Sequence, residues 1–184
     1  MTEPNASAPI ATPPQQLQAE FTIRAFSASD WPGVWAVLEP IVRGGDAYVF
    51  ARDMSENEMH SIWTELPAAT YVACDASGDI LGSYFIKPNQ PGLGSHVSNC
   101  GYATAAQAQG RGVASAMCEH SQQQAMAMGF KAMQFNFVVA SNEGAVRLWK
   151  KHGFSVVGTV PQAFQHHRLG LVDVLVMHKK LPRL

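Results

Sequence analysis

Apolar and polar residues alternate from Phe21 to Phe26, the two-residue period of a half-buried strand. Ser29 or Asp30 then caps a helix running to about Val42, with Pro32 tolerated in its first turn and Gly44-Gly45 ending it. Ser55 and Glu58 have the spacing of a capping box and open a second helix to about Leu66, which Pro67 stops. Tyr71–Cys74 and Ile80–Lys87 read as a strand pair turning at Ser77-Gly78. The run from Pro88 to Gly92 breaks the second strand, and Val97–Thr104 begins another. A helix from about Gly112 to Met128 follows, with Val113, Ala116, Met117 and Ala127 on its apolar face and Gly129 as its left-handed stop. Ala132–Val139 is a strand, Asn142 caps a helix Glu143–Lys151 that Gly153 closes, and Phe154–Val160 and Leu171–Met177 are the last strands. The predicted order is βααβββαβαββ.

Composition narrows the setting. The 184 residues suit one domain, read here as residues 19–184. Residues 1–18 are rich in Pro, Ala and Gln and lack the basic start and apolar run of a leader, so they read as a disordered tail. No stretch is apolar for long enough to span a bilayer, so no membrane is expected. Net charge is −1 with the basic residues scattered, which argues against nucleic acid as a partner. Cys74, Cys100 and Cys118 are an odd set without metal-ligand spacing and read as reduced core thiols of a cytoplasmic protein.

The chemistry concentrates at Gln109-Gly110-Arg111-Gly112-Val113-Ala114, between an apolar strand and a long helix. Glycines there let backbone N–H groups approach a ligand, and the helix start suits a pyrophosphate. Arg111 adds a charge that can meet a phosphate. The segment is neither a Walker loop nor a dinucleotide fingerprint. A glycine turn that only starts a helix is the other reading.

That segment, Gln109-x-x-Gly112-x-Ala114, resembles the acetyl-CoA signature Gln/Arg-x-x-Gly-x-Gly/Ala of the GCN5-related N-acetyltransferases (GNAT), and Gln107-x-x-Gly110-x-Gly112 is a second formal register. Asn142-Glu-Gly-Ala145-Val-Arg-Leu148-Trp149-Lys-Lys-His-Gly153-Phe154 is similar to the family's next motif, Asn-x-x-Ala-x-x-Leu-Tyr-x-x-x-Gly-Phe. The resemblance covers about residues 20–181. It implies an α/β fold with a mixed, twisted, mostly antiparallel sheet, two splayed central parallel strands and helices on both faces. It also implies acetyl-CoA as cosubstrate and no metal. Tyr102, Ala103 and Thr104 would pair with the pantetheine arm, the amides of Arg111–Ala114, with Gln109 and Gly110, would hold the pyrophosphate, Asn142 would bond the pantetheine, and Leu148 and Trp149 would pack near it. Many relatives have Tyr where this chain has Trp149; that Tyr is their proposed acid, and indole cannot replace it in proton transfer.

Within the family the chain resembles the azetidine-2-carboxylate N-acetyltransferases of yeast, through Ile86-Lys-Pro-Asn-Gln-Pro-Gly92, Ser95-His-Val-Ser-Asn99, Phe135-Asn136-x-Val138, Asn142 and Trp149. That resemblance implies that Asn99 and Asn136 orient a small amino or imino acid, and it makes Trp149 less anomalous. The plain alternative for both asparagines is a satisfied polar group between strands. Tyr48 and Arg52 lie in the connection after Gly44-Gly45, with Asp46, where a lid over an acceptor is expected and Arg52 could receive a carboxylate; a solvated connection is the alternative. His96 is either a base beside the acceptor or a loop-end histidine. His166-His167 has no evident third metal ligand and reads as a surface loop. Met117, Met126, Met128 and Met133 read as core packing, and Cys100 as a small core filler. The expected activity is transfer of acetyl to a small-molecule amine by direct attack. Phosphinothricin, a protein N-terminus, or a silent acyl-CoA-binding module are the alternatives, and a homodimer is expected by analogy with relatives.

Overall fold

The computed structural model describes residues 21–182, so the tail expected over residues 1–18 lies outside the described residues. In chain order the elements are β1 (Phe21–Ala25), α1 (Trp31–Gly44), α2 (Glu56–His60), β2 (Ala69–Asp75), β3 (Ile80–Pro88), β4 (Val97–Thr104), α3 (Val113–Ala127), β5 (Ala132–Val139), α4 (Glu143–Lys151), β6 (Ser155–His166) and β7 (Gly170–Lys180). This is the βααβββαβαββ order read from the periodicity. The strands form one sheet in the order β1-β2-β3-β4-β5-β7-β6. Every pairing is antiparallel except β4 with β5.

Side chains alternate across β3, and their partners show which helices cover which face. Ser83 accepts a hydrogen bond from Trp63 Nε1 at 3.0 Å, and Phe85 meets the Trp63 ring edge-on at 4.9 Å, so odd positions face the segment following α2. Tyr84 shares a hydrogen bond with His120 of α3, so even positions face the other way. Trp149 of α4 packs on Tyr102, whose hydroxyl bonds Ser121 of α3. Helices α3 and α4 therefore cover one face, opposite α2. Fully buried Trp63, Tyr84, Met117, Met133 and Met177 anchor the core between the layers. Gly101 is small for a reason: a Cβ there would fall 2.5 Å from Phe85 Cε1. Among the described residues no helix is long and apolar enough to cross a membrane.

Several boundaries differ from the sequence reading, each for a local cause. Helix α2 is shorter than expected because the chain widens over Ser61–Glu65, where Leu66 N–H reaches back to Ser61 O. Strands β6 and β7 are much longer than expected. The strand expected to end at Val160 runs on through Pro161, which sits in a bulge between Val160 and Phe164, with Gln162 at φ 51°. His166 accordingly ends a strand and is buried, rather than lying in a surface loop. Met128, expected in the core, is exposed just past the end of α3. The three cysteines are free and buried.

Asp30 does not use its carboxylate to cap α1. It accepts from Arg24 through both oxygens, at 2.7 and 2.8 Å, and from Ser27 N–H at 2.8 Å. The Arg24 guanidinium holds this buried carboxyl below the usual range. A lowered folded-state pKa contributes stability that is complete above the unfolded value and is lost as pH falls through the folded one. Asp30→Asn is therefore expected to destabilise the protein by about 1–3 kcal/mol at neutral pH, with the difference from wild type closing in acid. Urea unfolding across pH checks this.

Candidate active site

Strands β4 and β5 pair only at Val97–Ala132 and Ser98–Met133, then separate. Trp149 stands between them on the α4 side, its ring 4.9 Å from both Tyr102 of β4 and Phe135 of β5. The separation opens a cleft of about 310 Å³ lined mainly by aromatic and aliphatic groups. Odd residues of β4 direct their peptide groups to β3, a phase set at the strand ends by Ala105 N–H to Leu81 O and Asn89 N–H to Val97 O. Cys100, Tyr102 and Thr104 therefore present N–H and C=O toward the cleft. Ala103, expected to share in that edge, does not; its peptide groups face β3.

Tyr48 reaches this edge from the loop between α1 and α2. Its hydroxyl accepts from Tyr102 N–H at 2.8 Å and donates to Tyr102 O at 2.7 Å. Phe50 stacks on the same ring at 5.3 Å. Burial pushes the Tyr48 phenol well above its ordinary value. Cys100, also lining the cleft, is pushed up strongly by burial and stays a thiol at neutral pH.

Asn99 and Asn136 both line the cleft, together with Lys87 and Phe137, which the sequence reading did not single out. The signal for Lys87 is parity, since it pairs with Asn99 across the β3–β4 ladder. Asn99 Nδ2 donates to Gln134 O at 2.9 Å, continuing the β4–β5 connection one step beyond the last paired residues. Asn136 donates to Asn89 Oδ1 at 2.6 Å and accepts from Gln134 Nε2 at 2.9 Å.

Two expected contributors lie elsewhere. Arg52 does not line this cleft: its Nε donates to Arg43 O at 2.7 Å, and its stem packs on Gly45, closing the end of α1. His96 also lies outside the lining, on an exposed turn with Nδ1 3.2 Å from Leu93 O.

The glycine turn has the expected form. Gly110 and Gly112 have φ of 75° and 80°, with nothing within 4 Å of a Cβ built on either. Val113 and Ala114 lie in the first turn of α3, where helical amides lack an acceptor one turn back. Arg111 N–H, by contrast, donates to Ala108 O at 3.3 Å, so the expected group of amides loses that member. The exposed Gln109 donates its N–H to Ala106 O. Asn142 caps α4 through its side chain, accepting from Ala145 N–H at 3.2 Å, and the residue lines the cleft. Leu148 packs against the core and does not line the cleft.

Asp46 supplies the third group that His166-His167 lacked in the sequence. Its Oδ1 lies 2.7 Å from His167 Nδ1 and 3.4 Å from His166 Nε2, and Arg168 approaches its other oxygen at 3.4 Å. Asp46 Oδ1 is buried without a well-directed hydrogen bond, so its approaches to the two histidines are ion-pair contacts by distance. His166 Nδ1 accepts from the N–H groups of Arg168 and Leu169, which leaves the ring proton on Nε2, the atom facing Asp46.

The pattern defining the acetyltransferase (GNAT) family matches residues 35–154, which contain both the glycine turn and the cleft. The chain belongs to the GNAT acetyltransferase family. Over 120 residues it is 30% identical to the N-acetyltransferase aca1 of Schizosaccharomyces pombe, a match covering 64% of this chain and 57% of that protein. The structure of a GCN5-related N-acetyltransferase from Kribbella flavida superimposes with a TM-score of 0.84 at 40% identity, covering 88% of this chain and 98% of the other. A phosphinothricin acetyltransferase from Sinorhizobium meliloti, solved with acetyl-CoA, shares the fold with a TM-score of 0.78 at 20% identity, over 88% and 89% of the two chains.

In this GNAT protein the Asn99 amide is part of the scaffold, tying β4 to β5 at the closed end of the cleft. Asn99→Asp would set a carboxylate against Gln134 O, whereas Asn136 is exposed and Asn136→Asp leaves no buried carbonyl without a donor. Thermal and urea unfolding are expected to show a loss of about 1–3 kcal/mol for the first variant and under about 1 kcal/mol for the second.

Proposed function

We propose that this protein transfers acetyl from acetyl-CoA to the neutral amine of a small molecule, by direct attack on the thioester. The observation that most supports this reading is the edge of β4 at Tyr102, which has no strand partner and is met only by the Tyr48 hydroxyl, in a cleft between separating strands, with a glycine turn at the start of α3. The amides of Gly112, Val113 and Ala114 suit the pyrophosphate. Open space over Gly110 and Gly112 suits close approach of that group. The edge at Tyr102 and Thr104 suits the pantetheine amides, and the amide nitrogen of Asn142 can add a donor. Tyr102 N–H would polarise the thioester carbonyl and hold the oxygen as it gains charge.

The amine nitrogen forms a bond to the carbonyl carbon, the carbon–sulfur bond breaks, and the thiolate departs. The nitrogen's surplus proton goes to water. Trp149 cannot protonate the thiolate, because its N–H titrates far outside the accessible range. Cys100 is held as a thiol by burial, which favours direct attack over an acyl-enzyme. Asn99 and Asn136 lie on the acceptor side, and we favour a proline-like amino or imino acid as acceptor.

Thiol release can be followed with acetyl-CoA and a panel containing azetidine-2-carboxylate, proline analogues, phosphinothricin and a peptide N-terminus. Turnover of a small amino or imino acid is expected. Acetyl-CoA binding by calorimetry with no thiol release for any acceptor would mean a silent binding module, and no binding would remove the reading altogether.

Tyr48 gives a sharper check. Its hydroxyl sits on the peptide groups that the thioester arm is proposed to use, so acetyl-CoA must displace two hydrogen bonds. Tyr48→Phe is expected to tighten acetyl-CoA binding by about 5- to 50-fold. Weaker binding in the variant would show that Tyr48 supports the cosubstrate instead of competing with it.

A further inference from the structure

Lys87 is a charged side chain in the cleft with no task in the account above. It lies on β3 directly across the ladder from Asn99. Its Nζ sits 5.6 Å from the Phe85 ring centroid, and among the described residues no carboxylate pairs with it. No Asp or Glu lines the cleft. Asp46, beside the lining residue Ala47, is already engaged by His167 and Arg168. The other titratable lining groups are Tyr48, Cys100 and Tyr102, and burial keeps all three neutral near pH 7. The cleft thus carries one cation, among apolar walls formed by Ile62, Phe85, Phe135, Phe137 and Val138.

An aromatic face compensates an ammonium only in part. A ligand carboxylate compensates it far better, through a charge-assisted hydrogen bond. A simple amine has no such group to offer, and in its ammonium form Lys87 would repel it. In an α-amino or imino acid the carboxylate and the nitrogen are carried by the same carbon. A carboxylate on Lys87 therefore brings the nitrogen toward Asn99, its ladder partner. A fixed positive charge also disfavours the ammonium form of that nitrogen.

We infer that Lys87 is the specificity-determining residue of the acceptor site, receiving the acceptor's carboxylate and biasing its amine toward the neutral form that attacks. This rests on the cleft being the acetyl-transfer site. It adds a recognition element that neither asparagine supplies, because an amide has no net charge with which to select an anion.

The test compares azetidine-2-carboxylate with azetidine, and proline with pyrrolidine, in wild type, Lys87→Met and Lys87→Arg, with circular dichroism confirming that each variant folds. Wild type is expected to favour the carboxylate-bearing member of each pair. In Lys87→Met that preference, as a ratio of kcat/KM values, falls by about 10- to 100-fold, with most of the loss in KM for the acid. Lys87→Arg restores most of it. The acid limb of kcat moves to higher pH in Lys87→Met, because the bound ammonium no longer faces a like charge. A merely structural lysine would lower both substrates alike and leave that limb in place, which would overturn the inference. Equal use of azetidine and its carboxylate by wild type would overturn it too, while leaving acetyl transfer intact. Acetyl-CoA binding without turnover of any acceptor would defeat the proposed function itself, and Lys87's role with it.

Discussion

The arrangement of this molecule turns on a sheet that stops pairing in its middle. After Ser98 and Met133 no ladder joins β4 to β5, and buried peptide groups left without partners are costly. Three side chains meet that constraint in different ways. The Asn99 amide takes Gln134 O, the Tyr48 hydroxyl takes both polar groups of Tyr102, and the Trp149 ring fills the gap on the opposite face. The gap is thus hydrogen-bonded at Gln134 and Tyr102 and packed by the Trp149 ring. It can also receive a ligand, because one of those partners belongs to a loop.

That loop is held at several points. Arg43 and Arg52 exchange hydrogen bonds with each other's carbonyls, at 2.6 and 2.7 Å, which fixes its base at the end of α1. Asp46 ties it to the hairpin between β6 and β7. Tyr48 and Phe50 then hang over the cleft as a stacked pair. The aromatic span therefore lies between two anchored ends and touches β4 through Tyr48. The β6–β7 hairpin, remote in sequence from the glycine turn, is thereby joined to the loop that covers the cleft.

Most of the fold was legible because its periodicities are long and well punctuated. The order of elements, the Ser55–Glu58 capping box, the bounds of β4, β5 and α4, and the glycine turn before α3 all follow from local rules. The lengths of β6 and β7 did not, because a proline absorbed in a bulge looks locally like a strand end. At the site, Asn99, Asn136, Tyr48, Tyr102, Asn142 and Trp149 were named from the sequence and line one cleft. What stayed hidden depends on contacts between distant segments. Arg52 is consumed by a carbonyl nine residues back, Ala103 has the wrong ladder phase, and Asp46 meets histidines more than a hundred residues away. Lys87 was hidden differently, since a lone lysine near a strand end is ordinarily a solvated one.

The protonation states around the cleft limit how a transfer reaction can run there. Tyr48, Tyr102 and Cys100 are all pushed up by burial, so none can take a proton near neutrality. His120 bonds Tyr84 on the opposite face of the sheet, and His152 shares a hydrogen bond with Ser115 away from the lining; burial pushes both down, toward the neutral ring. His96 lies outside the lining on its exposed turn. Tyr48, Tyr102 and Cys100 are therefore not bases, and under the proposed function an incoming ammonium would have to lose its proton before attack. A cleft with apolar walls and one fixed cation suits that, because both features disfavour an ammonium. Under the proposed function the contribution of this chain would then be one of position and field: separated strands, a peptide N–H near the reacting carbonyl, and a charge that biases how the acceptor enters.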